Sequence, residues 1–131
     1  MAHIKRFIQR WWPSTIVLTV ILYATINDNP LDDTQLPPIP YLDKLIHAIM
    51  FGGLFGSLTF DRHRAGMAID RKALIPITIA CIISGACDEI AQQYLTSARA
   101  GDIIDFAADC IGITVAYYTA PPAVRRVLRK D

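Results

Sequence analysis

The chain has 131 residues, enough for one domain. With 53% hydrophobic and 19% charged residues and a mean hydropathy of +0.32, it is too apolar for an ordinary soluble domain. A formal net charge of +1 provides no global basic field, which argues against a nucleic-acid partner.

Residues 1–10 are basic, with His3, Lys5, Arg6 and Arg10, and lead into Trp11, Trp12 and Pro13. An uncharged apolar run then extends to Ile26. The Trp pair reads as an interfacial belt and Pro13 as a first-turn residue, so a first span is expected over about 11–26. A secretory signal peptide is the rival reading. Thr25-Ile26-Asn27 is a poor small-x-small cleavage site, which favours an uncleaved span.

Residues 27–40 hold Asp28, Asp32, Asp33 and four prolines without any Lys or Arg, and read as an extended polar loop. The second span is expected over about 42–60, apolar except for Asp43, Lys44 and His47 at its start. Gly52 and Gly56 offer a small-residue face for close helix approach. Residues 61–72 form a second polar connector carrying Arg62, Arg64, Arg71 and Lys72. The third span, about 73–95, turns polar at Asp88, Glu89, Gln92 and Gln93. A short loop around Arg99 leads to the fourth, about 103–119, which Pro121-Pro122 is expected to stop ahead of a basic tail. Cys81, Cys87 and Cys110 are odd in number, lack ligand spacing and read as free thiols used as small hydrophobes.

Charge placement selects a membrane bundle over a soluble four-helix bundle. The N-terminal segment, the 61–72 connector and the tail hold 11 of the 13 Lys and Arg residues, leaving Lys44 and Arg99. That alternation is the positive-inside pattern. The expectation is therefore an all-α, integral membrane four-helix bundle, one domain over 1–131, with both termini cytoplasmic. It would be a multi-pass membrane protein, with the bilayer as its first partner.

In this topology the intramembrane charges collect at the outer face. Asp43 and His47 are spaced i,i+4, Glu89 and Gln92 i,i+3, and Asp102, Asp105 and Asp109 form one stripe that Gly112 and Ala116 continue. If the fourth span begins at Asp102, Asp109 lies about 10 Å deeper, at about 1.5 Å per residue. It must then be paired, protonated or facing a cleft. Each group also has a plain structural reading. Asp102 and Asp43 can cap helices, Lys44 can snorkel, a lone His47 can be structural, and Asp88 can be an interfacial charge. Their convergence from three segments on one side is what points to a site.

Asp43-Lys44-x-x-His47, Glu89-x-x-Gln92, Arg99, Asp105, Asp109 and Gly112 resemble the VanZ-like family of small bacterial membrane proteins, over about Tyr41 to Tyr118. That family is named for a member associated with teicoplanin resistance and brings no settled activity. The pattern departs at Asp109, often Asn in the family, and at Ser97-Ala98, where Pro or Gly is usual. The resemblance implies a site at these positions and an envelope setting.

The leading expectation is an outer-face site that acts on or binds a lipid-linked or cell-wall ligand. His47, Asp43, Glu89 and Asp105 are the candidate catalytic residues, His47 as the acid/base. Lys44, Gln92, Arg99, Asp102 and Asp109 are candidate ligand contacts, with Arg99 as a phosphate or carboxylate clamp. Glu89 and Asp105 could together with His47 hold a divalent cation, the one cofactor considered. A non-catalytic binding or structural module and a proton or ion pathway are the alternatives.

Overall fold

The computed structural model describes residues 2–27, 39–97 and 100–129. Among these are four helices and no strand: α1 (Ala2–Ile26), α2 (Leu42–Arg64), α3 (Arg71–Leu95) and α4 (Ile103–Val127). The polar loop expected over 27–40, apart from its ends, lies outside the described residues, and so does Arg99. α3 and α4 are each long and apolar enough to cross a membrane.

α2 is the central element. It packs most closely along α4, runs in the same direction, and also touches α1 and α3; α1 makes no contact with α4 among the described residues. The core is built from Phe51, Leu54 and Phe55 of α2, Leu74, Ile77 and Cys81 of α3, Ile113, Ala116 and Val124 of α4, and Ile21 of α1. Outside it, Ile75, Ile79, Ile83 and Ile90 of α3 and Ile104, Ile111 and Val115 of α4 are exposed. A water-facing helix normally carries polar residues on that surface.

The closeness of α2 and α4 depends on glycine. A Cβ on Gly112 would overlap the backbone carbonyl of Ala48, and one on Gly52 would come within 3.0 Å of the Gly112 oxygen. Gly56 has nothing within 4 Å of its Cβ position. The expected Gly52–Gly56 face is thus replaced by a Gly52–Gly112 pair across two helices.

α1 is two helices joined at Trp11, whose φ of −118° and ψ of 22° are not helical. Pro13 has no N–H to give the Gln9 carbonyl, which breaks the ladder there. Residues from α2 satisfy what is left. Arg64 Nη2 donates to Gln9 O at 3.3 Å and Arg10 O at 2.7 Å. Asp61 Oδ2 accepts from Ser14 N–H at 3.0 Å and Ser14 Oγ–H at 2.6 Å. Asp61 and Arg64 pair with each other at 3.2 Å, and the guanidinium stands 5.9 Å from the Trp12 ring centroid. One ion pair therefore caps both sides of the kink.

Two sequence expectations are corrected. Residues 61–64 are the last turn of α2 and not connector, because Asp61 and Arg64 are held by these contacts with α1. Pro121-Pro122 does not stop α4, which continues to Val127. The prolines remove the N–H donors that would serve Tyr117 and Tyr118, yet Pro121 and Val124 are buried and Arg125 reaches the Ile69 carbonyl at 3.4 Å. Tertiary packing there outweighs local propensity. The three cysteines are free thiols, with Cys81 in the core.

Candidate functional site

The start of α2, the end of α3 and the start of α4 meet at one end of the bundle. Lys44 is held there by three carboxylates: Asp43 at 2.7 Å, Asp102 at 3.0 Å and Asp105 at 2.7 Å. One helical turn deeper, His47 Nδ1 lies 3.0 Å from Asp109 Oδ1 and 3.9 Å from Glu89 Oε1. Glu89 Oε2 accepts the Asp102 N–H at 2.7 Å, tying the α3 end to the α4 start. His47, Glu89 and Asp109 are all buried, Asp109 completely.

Asp102 is the N-cap of α4, as its capping reading anticipated, with Oδ1 on the Ile104 N–H at 2.8 Å. Its other oxygen takes the Lys44 ammonium, so it serves the helix and the cluster together. Asp43 does not cap α2. That position belongs to Tyr41, which has a left-handed φ of 62° and gives no side-chain cap. Asp43 sits in the first turn instead, exposed, on Lys44.

The Ile104 N–H first, and the Lys44 ammonium second, hold the Asp102 carboxyl below its ordinary value. A folded-state pKa that is lowered contributes stability above the unfolded value and loses it as pH falls through the folded one. The cap should therefore hold at neutral pH and be lost on acidification below about 4, the ordinary aspartate range. In 15N-labelled protein the Ile104 amide resonance should move only below that range. Asp102→Asn should remove the movement; an unchanged titration in that variant would assign it to another group.

Asp88 is a residue that sequence reasoning under-weighted. It is buried, accepting from Thr25 Oγ–H of α1 at 2.6 Å and from Gln92 Nε2 at 3.1 Å. The i,i+4 spacing of Asp88 and Gln92 was the available signal, but nothing local pointed to Thr25. Gln92 thus turns to Asp88 and supports the cluster indirectly, while Gln93 accepts the Gly101 N–H outside it. Asp61, also buried, belongs to the opposite end of α2 and to the α1 kink.

Among the described residues the cluster holds six carboxylates, Asp43, Asp88, Glu89, Asp102, Asp105 and Asp109, against one lysine and one histidine. Three buried carboxylate oxygens lack a hydrogen bond: Glu89 Oε1, Asp105 Oδ1 and Asp109 Oδ2. Asp105 Oδ1 is nonetheless 2.7 Å from the Lys44 ammonium, a close ion pair in poor hydrogen-bond geometry. The unpartnered atoms are thus Glu89 Oε1 and Asp109 Oδ2. Buried carboxylate oxygens without a hydrogen bond are costly, so among the described residues the arrangement calls for a further donor, a cation or a proton. The cation set expected from sequence, His47, Glu89 and Asp105, changes accordingly. Asp105 is engaged by Lys44, and the residues with ligand spacing are His47, Asp88 and Glu89.

No family model, curated protein or solved structure matched the chain when it was compared with each.

Proposed function

We propose that this chain is a VanZ-like, four-span protein of the bacterial inner membrane, both its ends cytoplasmic, that captures and acts on a lipid-linked envelope ligand. The exposed isoleucines around α3 and α4, together with the alternation of Lys and Arg between connectors, support the membrane setting. The same alternation supports an outer-face position for the carboxylate cluster.

The observation that carries the reading is an apolar groove between α1 and α3 whose wall includes Asp88 of the cluster. Its volume is about 330 Å³, and Leu18, Leu22, Phe51, Cys87 and Ala91 line it together with Asp88. A second hollow of about 270 Å³ shares Leu18, Leu22 and Ser84 with it and continues toward Trp11. An apolar trough with a buried carboxylate in its wall suits a ligand with a hydrocarbon chain and a polar head. At the head, the His47–Asp109 pair is arranged as an oriented acid/base, Asp109 fixing the ring through Nδ1. Lys44, fully engaged by carboxylates, is a structural post of the site. Arg99 remains the proposed anion clamp. An envelope ligand of this kind fits the association of the VanZ-like family with teicoplanin resistance.

A capture module without chemistry is the second reading, favoured by how completely Lys44 and Asp102 close the cluster. Purified chain in phosphatidylcholine nanodiscs should bind a fluorescent polyprenyl monophosphate saturably. Ala91→Trp, which fills the groove, should weaken binding by about tenfold, roughly 1.4 kcal/mol. Ile79→Trp, on the exposed face of α3, should not. Equal affinity in wild type and Ala91→Trp would sink the groove assignment. Turnover of the bound lipid that is lost in His47→Ala separates the enzyme from the capture module.

A further inference from the structure

We infer that His47, Asp88 and Glu89 form a site for one divalent transition-metal ion, with Asp109 orienting the histidine. One ligand atom from each of the three lies within 4.8 Å of the other two, and all three residues are buried. Two ligands of a single ion, each about 2.1 Å from it, are separated by about 3 to 4 Å. The three groups therefore need only a small contraction to close on a metal.

The surroundings are those that a metal site requires. His47 meets Asp109 Oδ1 through Nδ1 at 3.0 Å. With the proton on Nδ1, Nε2 keeps a free lone pair, the carboxylate–histidine arrangement that supports metal-binding imidazoles. Glu89 is anchored by one oxygen on the Asp102 N–H, and its other oxygen is buried without a partner. Asp88 is fixed by Thr25 and Gln92, each oxygen retaining acceptor capacity. Every candidate ligand is thus positioned by a neighbour, from α1, α3 or α4.

Two independent observations point to a cation. Glu89, about nine-tenths buried, has an oxygen without a hydrogen bond, 3.9 Å from His47 Nδ1. Asp109, wholly buried, has a second one. Among the described residues the cluster's one lysine is already shared among three other carboxylates. One imidazole and two carboxylates make a mixed donor set, suited to Zn²⁺, Mn²⁺ or Fe²⁺ more than to Mg²⁺ or Ca²⁺. The ion's further role, attracting the phosphate of a lipid head beside the α1–α3 groove, rests on the reading above. The site itself rests on the cluster alone.

The test is metal binding by the full chain in detergent, after chelator treatment and without added lipid. Titration with Mn²⁺ should show one saturable site per chain, read from loss of the free-ion EPR signal, and Zn²⁺ should compete for it. Electron spin-echo modulation of bound Mn²⁺ should reveal coupling to one imidazole nitrogen, absent in His47→Ala. Glu89→Gln and Asp88→Asn should each weaken Mn²⁺ binding by about tenfold or more. Asp109→Asn should weaken it by about tenfold, the scale seen when a group supporting a metal ligand is lost. Asp70→Asn, a conservative change at the exposed cap of α3, should bind as wild type does. Wild-type protein with neither saturable Mn²⁺ nor Zn²⁺ binding would overturn the inference. Saturable binding without nitrogen coupling would do the same, as would binding unchanged in helical, folded Glu89→Gln. Because no lipid is present, a negative result here leaves the polyprenyl phosphate experiment to decide the ligand reading separately.

Discussion

Gly112→Ala is expected to destabilise the bundle by about 1–3 kcal/mol, the range for overpacking a tight interface. A methyl there meets the backbone carbonyl of Ala48, which no side-chain rotation can move aside. α2 and α4 would have to part, and this is the most closely packed helix pair in the chain. The site would feel it as well. Ala48 follows His47 in α2, and Gly112 lies one turn beyond Asp109 in α4, so separation at this point lengthens the 3.0 Å contact between them. Gly53→Ala and Gly56→Ala are the matched controls, since their added methyls meet nothing within 4 Å. Each should be neutral or stabilising by up to about 1 kcal/mol through helix propensity. Thermal unfolding in detergent, followed by far-UV circular dichroism, compares the three. A Gly112→Ala variant as stable as Gly56→Ala would show that the helices yield at no cost, contrary to this account.

Asp61→Ala should be a strongly damaging change outside the carboxylate cluster, at about 2–4 kcal/mol. Buried Asp61 accepts two hydrogen bonds from Ser14, and those to a charged group are worth about 1.5–3 kcal/mol, whereas its partner Arg64 is exposed. Three consequences coincide. The Ser14 N–H and hydroxyl lose their acceptor, Arg64 loses its counter-charge, and the kink at Trp11 loses one of its two caps. Asp61→Asn keeps an acceptor for Ser14 and should cost less, about 1–3 kcal/mol. Trp11 and Trp12 report directly on the kink, with Trp12 beneath Arg64. Their fluorescence should change at temperatures where the helical signal of Asp61→Ala is still intact. Coincident transitions, with a midpoint equal to that of wild type, would rule out the clamp.

Asp61, Asp88 and the α2 glycines owe their roles to partners far along the chain. Asp61 lies in a stretch rich in charge that reads as a connector, because the feature that makes it helical and buried is Ser14, 47 positions away. Asp88 looked like an interfacial charge for the same reason, its partner Thr25 being 63 positions away. Gly52 and Gly56 looked equivalent along α2, and only the approach of Gly112 distinguishes them.

The apolar runs and their polar interruptions fixed the four helices to within a few residues at most ends, because hydrophobic patterning is local and helices report it directly. Spacing alone also placed Asp102, Asp105 and Asp109 on one stripe and aligned Asp43 with His47, since 3.6 residues per turn is a property of the chain itself. The tertiary structure decided how each stripe is rotated and which helix it faces. It placed Lys44 among three carboxylates, turned His47 to Asp109, brought Asp88 in place of Asp105 beside His47 and Glu89, and carried α4 through two prolines. Those outcomes depend on contacts between residues tens of positions apart, whose energies no local pattern encodes.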